Sequence, residues 1–285
     1  MHKRNVEEFF SKNTAYWESV YGDQEEMHGL TGDIMVGRKN NVLSMVDRYA
    51  DTRKLRILDV GCGPGIILEE MVARGHHVTG IDLSKEMVNE ANARLKKYNA
   101  GAEPSCSQGN VESLPFQSES MDVVLCLGVL MYLQDERKAI SELSRVLKKG
   151  GIAVVVLTNL LKIGNLFDPY YYLCRSWQYV WYHVLNRKKT QLDRVLEPDD
   201  FALNKNFAIR RYTMNQVRGM FDRHNLYHVY TAGVEYGPPT FWRKSFLPVK
   251  MERKISSCLD RLSRQRGFSW FKMFANQWVI CLKKD

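Results

Sequence analysis

Leu55-Arg56-Ile57-Leu58-Asp59-Val60-Gly61-Cys62-Gly63-Pro64-Gly65 is the stretch that decides how this chain folds. A short apolar run, Leu55 to Val60, ends in glycines at every second position, and a helical pattern from Ile66 to Arg74 follows. A run of this length closed by glycines reads as a buried parallel strand. Glycine is needed after it for two reasons. The chain turns tightly through backbone angles that side chains resist, and a ligand comes close to the backbone without meeting a Cβ. Asp82, in VTGIDLS (78–84), ends the next apolar run, 21 positions after Gly61. That spacing sets a carboxylate where it accepts hydrogen bonds from both hydroxyls of a ribose.

Working outward, strands are expected at His77–Ile81, Ser105–Gly109, Asp122–Leu127 and Ile152–Leu157, with helices at Ser84–Tyr98 and Gln134–Leu147 between them. Alternation of this kind predicts an α/β fold, a mostly parallel Rossmann-like sheet with helices on both faces. Residues 5–21 and 34–50 read as helices before the core. After Leu157 the regularity breaks. It returns with a helix at Tyr212–His224, a strand at Tyr227–Val234 and a closing strand at Gln277–Lys283. One domain over 1–285 fits better than two in tandem: N-terminal helices (1–50), a cofactor-binding core (54–157), a lid insertion (158–205), and the C-terminal half of the sheet (206–285) with a basic insertion at 242–268.

Composition narrows the class. The chain has 285 residues and is 45% apolar, ample for a core. It lacks an apolar run long enough for a transmembrane helix, and MHKRNVEEFF has no signal-peptide core. The six cysteines are scattered with no C-x-x-C pair, so neither a metal site nor a disulfide framework is expected, and a reducing, cytoplasmic setting is. The net charge of +9 is uneven: residues 1–156 carry −3, residues 157–242 carry +4, and residues 243–285 carry +8. A basic C-terminal part either faces an anionic partner or keeps the protein soluble.

Two nucleotide cofactors share a glycine loop and a ribose acid. A dinucleotide fingerprint places its third glycine where this chain has Ile66, whereas the spacing here is Gly-x-Gly-x-Gly. Asp59, two places before Gly61, would repel a pyrophosphate but suits the ammonium and sulfonium groups of S-adenosylmethionine (SAM). ILDVGCGPG, VTGIDLS, GNVESLPF, MDVVLCLGVLMYL and ELSRVLKKGG together resemble the successive motifs of class I SAM-dependent methyltransferases, closely over about residues 54–157. The resemblance implies a seven-stranded sheet with a reversed last strand. It also implies methyl transfer to an oxygen or nitrogen of a small-molecule or lipid-linked acceptor, as in bacterial ubiquinone-type, polysaccharide or glycolipid pathways.

The same resemblance assigns Gly61, Gly63 and Gly65 to the methionine moiety, Asp59 to its amino group, Asp82 to the ribose and Leu83 to the adenine face. Asn110 and Val111 would meet the adenine edge, Leu127 would flank the cofactor, and Arg38 and Tyr16 are candidates for the methionine carboxylate. The family commonly has Asp where this chain has Asn110. An amide oxygen still accepts from the adenine amino group, and Asn also serves ordinary turns. No general base stands out. His28, Tyr132 and His183 are the candidates, Tyr132 doubling as an aromatic wall. Cys62, inside the loop, reads as a small filler.

Two other functions compete. A nucleic-acid methyltransferase would suit the basic C-terminal part, but the Pro-Pro-aromatic motif of base-amine methylation is replaced by Cys126-Leu-Gly128-Val-Leu. A non-catalytic SAM-binding protein would be expected to have lost the loop or the ribose acid, and both are intact. Residues 166–185 contain eight Phe, Tyr and Trp residues, which form either a lid over an acceptor or a cap on the core. Met251, Ile255, Leu259 and Leu262 recur at helical spacing among Lys and Arg, followed by Phe268-Ser-Trp270-Phe271. Such a helix lies either on an anionic membrane or against the protein's own sheet.

Overall fold

The computed structural model describes residues 2–21, 25–50, 53–98, 105–163, 168–180, 209–237, 240–241, 244–245 and 247–285. His183, Arg187-Lys188-Lys189 and the rest of 181–208 lie outside the described residues, as does the side chain of His28.

Seven strands form one sheet in the order β3-β2-β1-β4-β5-β9-β6. They are β1 (Arg56–Val60), β2 (His77–Asp82), β3 (Ser105–Gln108), β4 (Met121–Leu127), β5 (Leu147–Thr158), β6 (Leu226–Val234) and β9 (Gln277–Lys284). The first five run parallel, and β9 runs antiparallel to both β5 and β6. The mostly parallel Rossmann-like sheet with a reversed last strand is as expected. Two-residue strands β7 (Thr240–Phe241) and β8 (Lys244–Ser245) pair separately.

Side chains alternate between the two faces of each strand. Leu58, Val124 and Val155 pack on one face, and Ile57, Val123 and Val154 on the other, all almost fully buried. Both faces are therefore covered, which is why these strands read as continuous apolar runs. Helices α3 (Glu25–Ala50), α4 (Ile66–Ala73) and α5 (Lys85–Leu95) cover the second face through Val42, Val46, Leu68 and Ala91. Helices α6 (Arg137–Val146) and α8 (Met214–Asp222) cover the first through Ile140, Leu143, Val217 and Phe221. Thr213 and Gln216 form a reciprocal capping box at the start of α8, so that helix begins later than Tyr212.

Three boundaries differ from expectation. The first helix splits into α1 (His2–Lys12) and α2 (Thr14–Tyr21), because the Asn13 side chain donates to Phe9 O at 2.7 Å and competes with the backbone ladder. Helix α3 begins earlier than residue 34. Strand β5 begins at Leu147, ahead of the Gly150-Gly151 turn, with Leu147 paired to Met121 before the register shifts. Helices α7 (Pro169–Tyr179) and α9 (Val249–Ser263) lie in the two expected insertions, and a 3₁₀ turn spans Arg266–Phe274.

Candidate functional site

The carboxyl ends of the parallel strands meet at one edge of the sheet, where open α/β folds bind ligands. Here that edge borders a cavity of about 240 Å³. It reaches from Asp82 on β2 across Asp59 on β1 and Leu127 on β4 to Gln277, which opens β9 opposite Thr158 of β5. Four strand spacings separate β2 from β9, roughly 19 Å of sheet.

The glycine loop divides its labour. A Cβ on Gly61 would lie 2.2 Å from Val129 Cγ2, and one on Gly65 would lie 2.9 Å from Ala91 Cβ. Gly61 thus lets β1 pass the segment after β4, and Gly65 lets α4 close on α5. Gly63 differs: at φ +53° its missing Cβ would meet nothing within 4 Å, because the space is the cavity. Gly65 was expected beside the ligand and does not line the cavity; the close approach of the two helices accounts for it instead.

Asp82 anchors this loop. Its Oδ2 accepts from Gly63 N and its Oδ1 from Ser84 N, both at 2.9 Å. Burial raises its pKa, opposed by these backbone donors. Each carboxylate oxygen retains a lone pair for a further donor. Asp59 is buried, and its Oδ1 has no hydrogen-bond partner among the described residues. Burial first, then the Asp82 charge, push its carboxyl up to about 7, while Arg38 opposes them. Arg38 reaches the cavity from α3, almost wholly buried, with a guanidinium nitrogen where a Cβ on Gly128 would lie, and Nη1 3.2 Å from Met35 Sδ.

Leu83, Asn110, Val111 and Leu127 also line the cavity. Asn110 does so while serving its turn, since its Oδ1 accepts from Glu112 N at 3.2 Å. Tyr132 lines it as an aromatic wall, edge-on to Phe10 with centroids 5.4 Å apart. Tyr16 does not reach it; the ring packs on its neighbour Trp17, which does. Cys62 packs its sulfur near Cys106 and over Gly80, where thiol contact and burial hold its pKa well up, so it is a filler rather than a nucleophile.

Sequence reading missed the cover. Val6 and Phe10 of α1, Trp17 of α2 and Met35 of α3 close the cavity from the N-terminal side. Ser11 Oγ donates to Ser84 Oγ at 3.0 Å, tying α1 to the start of α5. The i, i+4 pair Val6 and Phe10 was the available signal, but such a stripe does not say what it covers. Gln277 was also missed as a site residue. It is buried, and its Oε1 has no partner among the described residues.

The open space over Gly63, the ribose-type acid and an unsatisfied buried carboxylate oxygen fit an adenosyl cofactor with a cationic amino-acid tail. Residues 58–155 match a family model described as a methyltransferase domain. This core belongs to the class I SAM-dependent methyltransferase family. The methyltransferase core is also similar to curated ubiquinone biosynthesis O-methyltransferases. That of Rickettsia canadensis (strain McKiel) is 30% identical over 160 residues, 56% of this chain and 65% of that protein. That of Hahella chejuensis is 37% identical over 109 residues, 38% of this chain and 45% of that protein. The chain thus spans less than two thirds of these relatives' length. Among solved structures, magnesium protoporphyrin IX methyltransferase from Synechocystis PCC 6803 with bound SAM superposes with a TM-score of 0.61 at 16% identity, covering 100% of this chain and 98% of that one. The [4+2]-cyclase SpnF superposes at 0.57 and 15% identity, covering 99% and 96%. At such identities the likeness is one of fold, and chemistry must be argued from the site.

Proposed function

We propose that this protein is a SAM-dependent O-methyltransferase acting on a hydroxyl of an apolar or aromatic small molecule, free or lipid-linked. The observation that carries SAM use is the orphaned Asp59 oxygen in the same cavity as Gly63 and Asp82. Asp82 would hold the ribose, Leu83, Asn110 and Val111 the adenine, and Asp59 the ammonium of the methionine part. Arg38, buried at the cavity wall, would meet its carboxylate. When bound, SAM supplies a methyl group on positively charged sulfur, ready for in-line displacement.

What remains for the protein is to hold the acceptor in line and dry, a proximity effect that is large when the geometry is tight. Phe10, Trp17, Met35 and Tyr132 supply apolar and aromatic walls. Gln277, four strands from the ribose acid, offers an unsatisfied amide oxygen to a donor on the acceptor. The acceptor hydroxyl gives its oxygen lone pair to the methyl carbon and its proton to a base or water. Oxygen as the target rests on the curated relatives. The direct test is incubation with methyl-labelled SAM and fractionated lysate, then with synthetic catechols and phenols. Label in a phenolic or lipid fraction is expected; label only in RNA would overturn the reading.

Asp59 makes SAM affinity depend on pH. With its folded pKa raised to about 7, the apo site keeps a proton that the unfolded chain has lost above about pH 4. Its contribution to stability therefore falls as pH rises through that window. An ammonium beside it favours the carboxylate, so SAM binding releases this proton. The Kd is expected to fall up to about tenfold per unit as pH rises toward 7 and to level off above. Calorimetry across pH 5.5 to 8 checks this, and Asp59→Asn should bind more weakly with a flat profile.

The aromatic insertion is proposed as the lid. Tyr172, Leu173 and Trp177 of α7, with Val180 at its C-cap, fall on one side of the helix and are exposed. The insertion follows β5, at the edge of the sheet where the cavity lies. Deleting 166–185 is expected to spare SAM binding and reduce turnover at least tenfold; undiminished turnover in a folded deletion would refute the lid. We further propose a cytoplasmic location for the protein and one domain over 1–285, since β6 and β9 complete the sheet that β1–β5 begin.

A further inference from the structure

The 3₁₀ turn Arg266–Phe274 exposes side chains that folding would normally hide. Phe268 is 44% exposed, Trp270 53% and Met273 45%. They are not stray. Trp270 packs on Phe271 and Phe274, with centroids 4.5 and 5.9 Å away, and Phe271 is fixed on the core. The turn is thus packed onto the fold through Phe271 while Trp270 stays exposed. Lys272 lies over the ring of Tyr230 at 4.5 Å, joining the turn to the edge strand β6, where Tyr230 and Val229 are exposed too.

Helix α9 adds charge. At about 100° per residue, Lys250, Lys254 and Arg261 fall within a narrow strip, all three exposed and none with an ion-pair partner among the described residues. The apolar stripe expected on this helix turns inward instead: Leu259 packs against the core, and only Met251 of the four stands exposed, at 49%. The helix therefore presents cations, and the turn packed against it presents aromatics.

From this juxtaposition we propose that the turn 266–274 and the cationic strip of α9 dock the protein on an anionic lipid bilayer. Trp and Tyr rings, apolar with one polar group, settle in the headgroup region, an exposed Phe beside them adds apolar area, and neighbouring cations are drawn to anionic lipid. The turn ends at the sheet edge where the cavity lies, just before β9 begins opposite Thr158. Asn159 Nδ2 donates to Met273 O at 2.6 Å and Ala275 O at 2.8 Å, and Gln277, a wall of the cavity, follows two residues later. Docking would bring the cavity to the headgroup layer, where a lipid-linked acceptor resides. No helix among the described residues is long and apolar enough to cross a membrane, so the contact is peripheral. Binding to the bilayer does not itself require methyl transfer.

The full chain is tested by co-sedimentation with vesicles of phosphatidylcholine alone and of phosphatidylcholine with phosphatidylglycerol, at low and high salt. Binding to the anionic vesicles at low salt, weakened by salt, is expected. Lys250→Gln with Lys254→Gln and Arg261→Gln should weaken it tenfold or more, and Phe268→Ser with Trp270→Ser should abolish it. In wild type, brominated lipid should quench tryptophan fluorescence; Trp270→Phe should still bind but lose most of that quenching. Every variant should stay folded in a thermal melt and bind SAM as wild type does. No binding at low salt, binding that both multiple variants keep, quenching unchanged in Trp270→Phe, or a patch-dependent dimer that ignores vesicles would each overturn the proposal.

Discussion

Gly63→Val is expected to abolish SAM binding while leaving the protein folded. Two effects separate at this position. The first is backbone strain. Gly63 sits at φ +53°, and a side chain there costs about 1–2 kcal/mol, rather more when β-branched. A domain stable by about 5–15 kcal/mol survives that with a melting temperature lowered by several degrees. The second is occlusion. A Cβ here meets no protein atom within 4 Å, so the valine branches start from the space left for the ligand. Gly63→Ala, with the same φ and a smaller plug, is the control. It should bind weakly where Gly63→Val binds undetectably by calorimetry. Normal SAM affinity in Gly63→Val would show that the cofactor does not pass over this loop.

Asp82→Ala is expected to weaken SAM binding by about 1–3 kcal/mol, roughly 5- to 150-fold. A carboxylate that pairs with both ribose hydroxyls leaves them unsatisfied when removed, and that loss dominates. The structure adds a second route. Asp82 also holds Gly63 N and Ser84 N, so Ala releases the loop and the start of α5 together. Asp82→Asn separates the routes. Its amide keeps one oxygen acceptor, so it should retain more stability than Ala while still losing affinity. Calorimetry with SAM or its demethylated product, beside thermal melts, reads both. Unchanged affinity in Asp82→Ala would remove the ribose assignment.

The cofactor half of the cavity was legible because it is local. Asp59, Gly61, Gly63 and Asp82 lie in or directly after two short strands, and their spacing along the chain follows from one strand-turn-helix-strand unit. Gly65 shows the limit of such reading. Spacing groups it with Gly61 and Gly63, yet its neighbour is Ala91, on a helix two elements later. The other half of the cavity was hardly legible. Phe10, Trp17 and Gln277 come from opposite ends of the chain and meet only because α1 rests on α5 and β9 inserts between β5 and β6.

The amphipathic helix near the C-terminus makes the same point about surfaces. The sequence shows Met251, Ile255, Leu259 and Leu262 at helical spacing, but periodicity reports only that a helix has two faces. Tertiary packing decided that the apolar face turns to the protein and the cations turn out. It also left the neighbouring Phe268 and Trp270 exposed.

By itself, then, the sequence determined the α/β sheet, the glycine loop and its acids, because hydrophobic period and backbone permissiveness act within a few residues. Only the tertiary structure decided which glycine faces the cavity, which carboxylate is left without a partner among the described residues, and what closes over that cavity. Those depend on contacts between residues far apart in the chain, for which local sequence holds no period to read.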